Sequence, residues 1–338
     1  MNLRVVWFVL LGVLLAGYAI LDGFDLGVGI LHLGARDDRE RRIFMNSIGP
    51  LWDGNEVWLV TFGGALFAAF PDAYATAFSA FYLAFMLLLC ALIFRAVSME
   101  FRGKRESAAW RRAWDFAFFA ASLTAALLFG VAVGDSMLGI PIRADHEFSG
   151  GLLDLLRPYA LLVGALNVSL FALHGALYLH LKTEGGLQRR VRRWMWHAFG
   201  VFLTLYLLTT IVTLIRVPRA VVNFERMPWL WGIVAANVLA LANIPRAMFL
   251  RRPGQAFASS AVAIAALVAL FGAALYPNLI VSSLDPAWSL TLESAASSNK
   301  TLGIMAFIAG LGLPFVLAYT GIVYWVFRGK VELGKFSY

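Results

Sequence analysis

Nine apolar runs, each near the ~20 residues that carry an α-helix across the hydrocarbon of a bilayer, dominate this chain. They fall at residues 5–33, 49–70, 74–97, 115–138, 158–181, 197–215, 229–244, 257–280 and 302–327. The seventh is the weakest, because Asn243 and Pro245 predict a helix shortened or kinked there. A soluble domain of 338 residues could not bury so much apolar surface. Hydrophobic residues make up 61% of the chain and charged residues 14%, against about 25% charged in average globular proteins. The mean hydropathy of +0.76 agrees. Long runs of this kind, rather than weak ten-residue alternation, exclude a membrane β-barrel. The expected fold is an all-α polytopic membrane protein with nine transmembrane helices. All of 1–338 reads as one integral membrane domain.

The +8 formal charge is explained by topology. Alternate loops place 21 of the 28 lysines and arginines on one side, with Arg95 and Arg102 assigned to one of those loops and Lys335 to the last. Such a bias marks the cytoplasmic side and sets the N-terminus outside and the C-terminus in the cytoplasm. Anionic lipid accounts for the basic excess, so no nucleic-acid partner is needed. The first run is too long for a signal-peptide core and carries acids, so it reads as a retained span. Cys90, the one cysteine, excludes a disulfide or cysteine-based metal site within the chain.

Against this apolar background stand four carboxylates: Asp22 and Asp25 in the first run, Asp53 and Glu56 in the second. Each pair is spaced i, i+3 and shares a helical face. A charge facing lipid costs roughly 3 kcal/mol or more, so such acids turn to a protein interior or a water-filled path, where they commonly carry protons or ions. Both pairs lie toward the cytoplasmic ends of antiparallel neighbours, and all four acids could share one inward-facing pocket. Asn55 adds to the hydratable character of the second pair. The bland readings stay open: Asp22 and Asp25 could pair with an arginine or bond backbone. Asp53 and Glu56 could be first-turn acids stabilised by the helix dipole.

The remaining polar residues carry weaker signals. Among the histidines at 32, 146, 174, 180 and 197, only His174 lies well inside a span, and a hydrogen-bonded packing role suits it better than haem ligation. No zinc-protease, haem-attachment, Walker, dinucleotide or nucleophile-elbow motif is present, so no catalytic residue and no metal site is expected. Glu100, Arg102 and the acids of 36–42 read as solvated charge, and Asp115, Asp135 and Asp154 as helix caps. Leu31-His32-Leu33 and Leu179-His180-Leu181 end the first and fifth runs at the same face, a faint echo of a duplicated four-helix unit.

The stretch from Gly17 to Gly29 (Gly-Tyr-Ala-Ile-Leu-Asp-Gly-Phe-Asp-Leu-Gly-Val-Gly) and the stretch from Trp52 to Leu59 (Trp-Asp-Gly-Asn-Glu-Val-Trp-Leu) closely resemble subunit II of the cytochrome bd ubiquinol oxidase family. So do Phe67-Ala-Ala-Phe-Pro71, Arg95-Ala-Val-Ser-Met-Glu-Phe-Arg102 and Tyr276-Pro-Asn-Leu-Ile280. The resemblance runs from the first helix to the C-terminus, and the short length is nearer the cyanide-insensitive branch. It implies two four-helix bundles, approximately 1–139 and 156–280, plus a peripheral helix over 301–327. It also implies a bacterial inner-membrane partner, subunit I, carrying haem b558, haem b595 and haem d and oxidising quinol, with O2 reduced to water by cytoplasmic protons. This chain would itself be haem-free. Asp53 matches the family's proton entry and Asp25 a further functional acid, while Asp22 and Glu56 join the path by helical facing. The resemblance leaves room for a quinone or lipid bound in this chain and for a small single-helix accessory subunit. The rival reading from the residues alone is a stand-alone proton-coupled transporter.

Overall fold

Asn2 starts the first helix, its side chain accepting from the Arg4 amide at 3.0 Å and so satisfying one of the free first-turn donors. The structure, a computed structural model, describes residues 2–334. Its helices are α1 (Leu3–Leu31), α2 (Asp38–Ile48), α3 (Trp52–Ala69), α4 (Pro71–Ala80), α5 (Tyr82–Arg102), α6 (Ala108–Leu138), α7 (Pro158–Lys182), α8 (Gly185–Arg216), α9 (Val222–Arg226), α10 (Trp231–Phe249), α11 (Pro253–Leu275) and α12 (Asn299–Val326). Two short strands, β1 (Asn278–Ile280) and β2 (Leu290–Thr291), pair antiparallel before α12.

Eight helices among the described residues are long and apolar enough to cross a membrane. The second expected span, α3, falls short because Asp53, Asn55 and Glu56 make its opening turns polar. It still lies along α1 and reaches the end where Arg4 pairs with Glu293, with Ser297 N donating to its last carbonyl, Ala69 O.

Other boundaries differ from the apolar pattern for identifiable reasons. The third run is broken at Phe81 into α4 and α5, with Pro71 opening α4. The 36–42 segment is largely helical, because Asp37 caps α2 by accepting from Glu40 N at 2.8 Å. Pro245 sits inside α10 without ending it; neighbouring helices let membrane helices tolerate such a residue, and here Asn243 donates to Ser259 Oγ of α11 at 2.8 Å. The run ending at 280 stops as helix at Leu275, just before Pro277, and continues as β1. Lys335 lies outside the described residues.

The centre of the molecule is the inner half of α1, where every residue from Asp22 to Gly29 is buried. Four other helices surround it: α3, α6, α7 and α11. Small residues permit this crowding. A Cβ on Gly27 would lie 1.9 Å from the Phe171 carbonyl oxygen, and one on Gly175 would lie 2.4 Å from the Gly27 carbonyl carbon, so α1 and α7 touch backbone to backbone. Gly27 and Gly175 each stand five residues before the Leu-His-Leu histidines, His32 and His180. On α6, Gly130 and Gly134 receive Gly164 and Ala160 of α7 in the same manner.

By contrast α12 is nearly bare. Leu302 is its one buried residue, and Phe307, Phe315, Tyr319 and Trp325 are all exposed. It leans on α1 and α3, and its far end is fastened to α7 by two lysines that serve each other's helices. Lys182 donates to Phe327 O and to Gly329 O, while Lys330 donates to Thr183 O at 2.8 Å and His180 O at 3.4 Å. Each lysine thereby satisfies carbonyls at the end of the opposite helix.

Candidate functional site

An arginine stands among the predicted acids. Arg95, from the interior of α5, is wholly buried and donates from Nη1 to Asp22 Oδ1 at 2.6 Å. Its Nη2 lies 3.1 Å from Glu56 Oε1 on α3. One guanidinium thus faces a carboxylate from each of two helices, which is how charge is tolerated at membrane depth. The apolar pattern had placed Arg95 in a cytoplasmic loop. The correction is physical: α5 continues to Arg102, so Arg95 lies two turns inside a helix.

Asp25, one turn along α1, is held differently. Asn55 of α3 donates from Nδ2 to Asp25 Oδ2 at 2.7 Å and reaches Leu21 O at 3.2 Å, while its Oδ1 accepts from the Tyr324 hydroxyl of α12 at 2.9 Å. Asp22 Oδ2, Asp25 Oδ1, Arg95 Nε and the Tyr18 hydroxyl are buried with no protein partner among the described residues. Buried polar atoms of this kind are ordinarily satisfied by water.

The four predicted acids are therefore not equivalent. Asp22, Asp25 and Glu56 gather at the α1–α3–α5 contact, whereas Asp53 is exposed in the first turn of α3. Exposure falls in order: Asp53 is open, the Glu56 side chain is 22% exposed, and Asp22 and Asp25 are sealed. Arg95 could have been found as a charge inside an apolar run. Nothing in the sequence signals Tyr324, whose partner lies 269 residues away.

A second ionic cluster closes the same end of α1. Asp115 is buried and accepts from Arg102 Nε at 2.6 Å and Arg41 Nη1 at 2.8 Å, with His32 Nε2 at 2.7 Å. Arg102 also donates to Asp38 at 2.7 Å, and Arg190 pairs with Glu40. Asp115 is thus no helix cap, nor is Arg102 solvated, because α6 begins at Ala108 and carries Asp115 two turns inward. At the opposite end Asp135 is also no simple cap: Arg157 binds its Oδ1 at 2.6 Å. Asp154 does behave as expected, accepting from Gly151 N at 2.7 Å. His174 packs: Phe257 stacks on it at 4.6 Å, Ser260 Oγ lies 2.7 Å from Nδ1, and Ile20 O lies 3.1 Å from Nε2.

Residues 3–327 match the family described as cytochrome bd terminal oxidase subunit II. The chain belongs to this family. As a bd oxidase subunit II it is 38% identical to the cytochrome bd-I ubiquinol oxidase subunit 2 of Escherichia coli K12, covering 97% of this chain and 95% of that one. It is 36% identical to the cytochrome bd ubiquinol oxidase subunit 2 of Bacillus subtilis 168, covering 98% and 97%. Its fold matches a chain of the bd oxidase from Geobacillus thermodenitrificans with a TM-score of 0.78 at 20% identity, over 97% of this chain and 99% of that one.

Proposed function

We propose that this chain is subunit II of a bd-type quinol:O2 oxidoreductase in the bacterial cytoplasmic membrane, paired with a haem-bearing subunit I and opening a cytoplasmic proton path toward the site of O2 reduction. The observation that carries the path is the gradient of exposure from Asp53 through Glu56 to the sealed Asp22 and Asp25. Asp53 collects protons from water at the mouth, and Glu56 sits one turn further along the same helix face. Arg95 offsets the charge of Glu56 and Asp22, so that acids can line an apolar interior without unpaired charge. The unpartnered oxygens of Asp22 and Asp25 and the Tyr18 hydroxyl extend the polar track inward.

Haem b558, haem b595 and haem d belong to subunit I in this reading and supply the electron transfer and O2 chemistry. In the same reading this chain itself is haem-free, which the engagement of its most buried imidazoles supports. His32 and His174 are the deeply buried histidines of the described residues, and the Nε2 of each is already engaged, by Asp115 and by Ile20 O. No group of three or more His, Cys, Asp or Glu among the described residues could hold a metal ion. With α3 as the ninth crossing, the N-terminus lies outside and the C-terminus in the cytoplasm. The helices then divide into two four-helix bundles with α12 at the periphery.

The test is purification of the tagged chain from native membranes with a reduced-minus-oxidised spectrum. Co-eluting b- and d-type haem bands with a second large subunit are expected. Asp53→Asn should lower quinol-oxidase turnover several-fold with that spectrum intact, and Asp53→Glu should be milder because a titratable group remains. Wild-type turnover in Asp53→Asn removes Asp53 from the path. A colourless single chain that drives proton-coupled uptake in vesicles would replace the oxidase reading with the transporter.

A further inference from the structure

The peripheral helix touches the acid cluster through one atom. Asn55 is 2% exposed and has both amide hydrogens committed, to Asp25 Oδ2 and to Leu21 O, which leaves its Oδ1 to find a donor. The Tyr324 hydroxyl is that donor. No other side chain among the described residues donates to Asp25, and its Oδ1 has no protein partner. A single amide therefore sets the rotation of this carboxylate, and a single hydroxyl sets the amide. Tyr324 is fixed in turn by the Phe24 ring, edge-on at 6.3 Å and 87°, and by the lysine clamp that begins three residues later at Phe327.

From this we infer that Tyr324 is a positioning residue for Asp25, acting through Asn55, so that the docking of α12 controls proton transfer at that acid. The inference rests on the proton-path reading. Without the Tyr324 hydroxyl, Asn55 Oδ1 is buried unsatisfied, and Asn55 turns or admits water to meet it. Asp25 then loses its one side-chain donor and its fixed orientation. Transfer steps are sensitive to misplacement on the ångström scale.

The experiment is turnover of the purified complex carrying Tyr324→Phe, Asn55→Ala, the double variant and Asp25→Asn, each with haem content and quinol KM measured. Tyr324→Phe is expected to lower kcat about tenfold with KM and haem spectrum unchanged. In the Asn55→Ala background the same change should have no further effect, because the route to Asp25 is already cut. A purely structural tyrosine would instead give the same loss in both backgrounds, and that result overturns the inference. So does wild-type kcat in Tyr324→Phe when Asp25→Asn is inactive. Full turnover in Asp25→Asn removes Asp25 from the path and the inference with it, leaving the entry at Asp53 to be judged by Asp53→Asn. Should Tyr324→Phe fail to assemble, Lys330→Met releases the clamp from outside the core and must show the same dependence on Asn55.

Discussion

Asp22 and Arg95 are worth more as a pair than either is alone. Arg95→Met would leave Asp22 as a bare buried charge, a change that costs about 3–5 kcal/mol. Thermal unfolding of the purified complex should register that loss, and Asp22→Leu combined with Arg95→Met should recover most of it. A double variant no more stable than Arg95→Met would mean that the arginine acts through packing. The acids were legible in the sequence because charge inside an apolar run is conspicuous, and the same logic reaches Arg95 once helix and loop are separated correctly. The partners of Asp25 were half legible: Asn55 sits beside Asp53 and Glu56, while Tyr324 arrives only by tertiary packing. Asp115 was misread because helix-end position resembles capping until the partners are seen to be His32, Arg41 and Arg102.

Helix against helix, the decisive contact is the crossing of α1 and α7. Gly27→Ala would drive a methyl to 1.9 Å from the Phe171 carbonyl oxygen, and backbone cannot give way as a flexible side chain can. The helices must part, which opens the packing around Phe24 and Leu26 at the centre of the molecule. Gly27→Ala and Gly175→Ala should each abolish recovery of an intact complex. Gly12→Ala on the same helix, where an added Cβ meets nothing within 4 Å, should leave it unchanged. Recovery of all three at wild-type levels would show that α1 and α7 are not in contact. Apolar periodicity finds helices well and their ends poorly. It missed the break at Phe81 and ended the seventh run at 244, where α10 passes through Pro245 to Phe249.

Among the described residues, the polar contacts that join loops and helix ends gather at two ends of the molecule. Arg4–Glu293, Ile140 N to Val281 O and Ser297 N to Ala69 O join one set of loops. His32–Asp115, Arg190–Glu40 and the Lys182–Lys330 clamp join the other. The orientation proposed above rests on the charge bias of the loops. In a Cys90→Ser background, an impermeant maleimide should label Asp145→Cys on intact cells and Glu106→Cys only after permeabilisation. The reverse pattern would invert the topology and put Asp53 on the wrong side to collect cytoplasmic protons. The all-helical membrane class was legible because lipid leaves backbone so few options. The placement of α12 was not, since nothing in a uniformly apolar run says which neighbour it leans on.

The clamp also bears on the order in which the protein becomes competent. Chains emerge from the ribosome N-terminus first, and α12 is the last of the described helices to be made. Asp22, Asp25, Asn55 and Arg95 are all in the membrane long before Tyr324 is synthesised. Until then Asn55 lacks its donor, and the end of α7 lacks the lysine that covers its carbonyls. A chain cut short during translation would still carry Asp22 and Glu56 on Arg95, but Asn55, and through it Asp25, would be without the hydroxyl that fixes them.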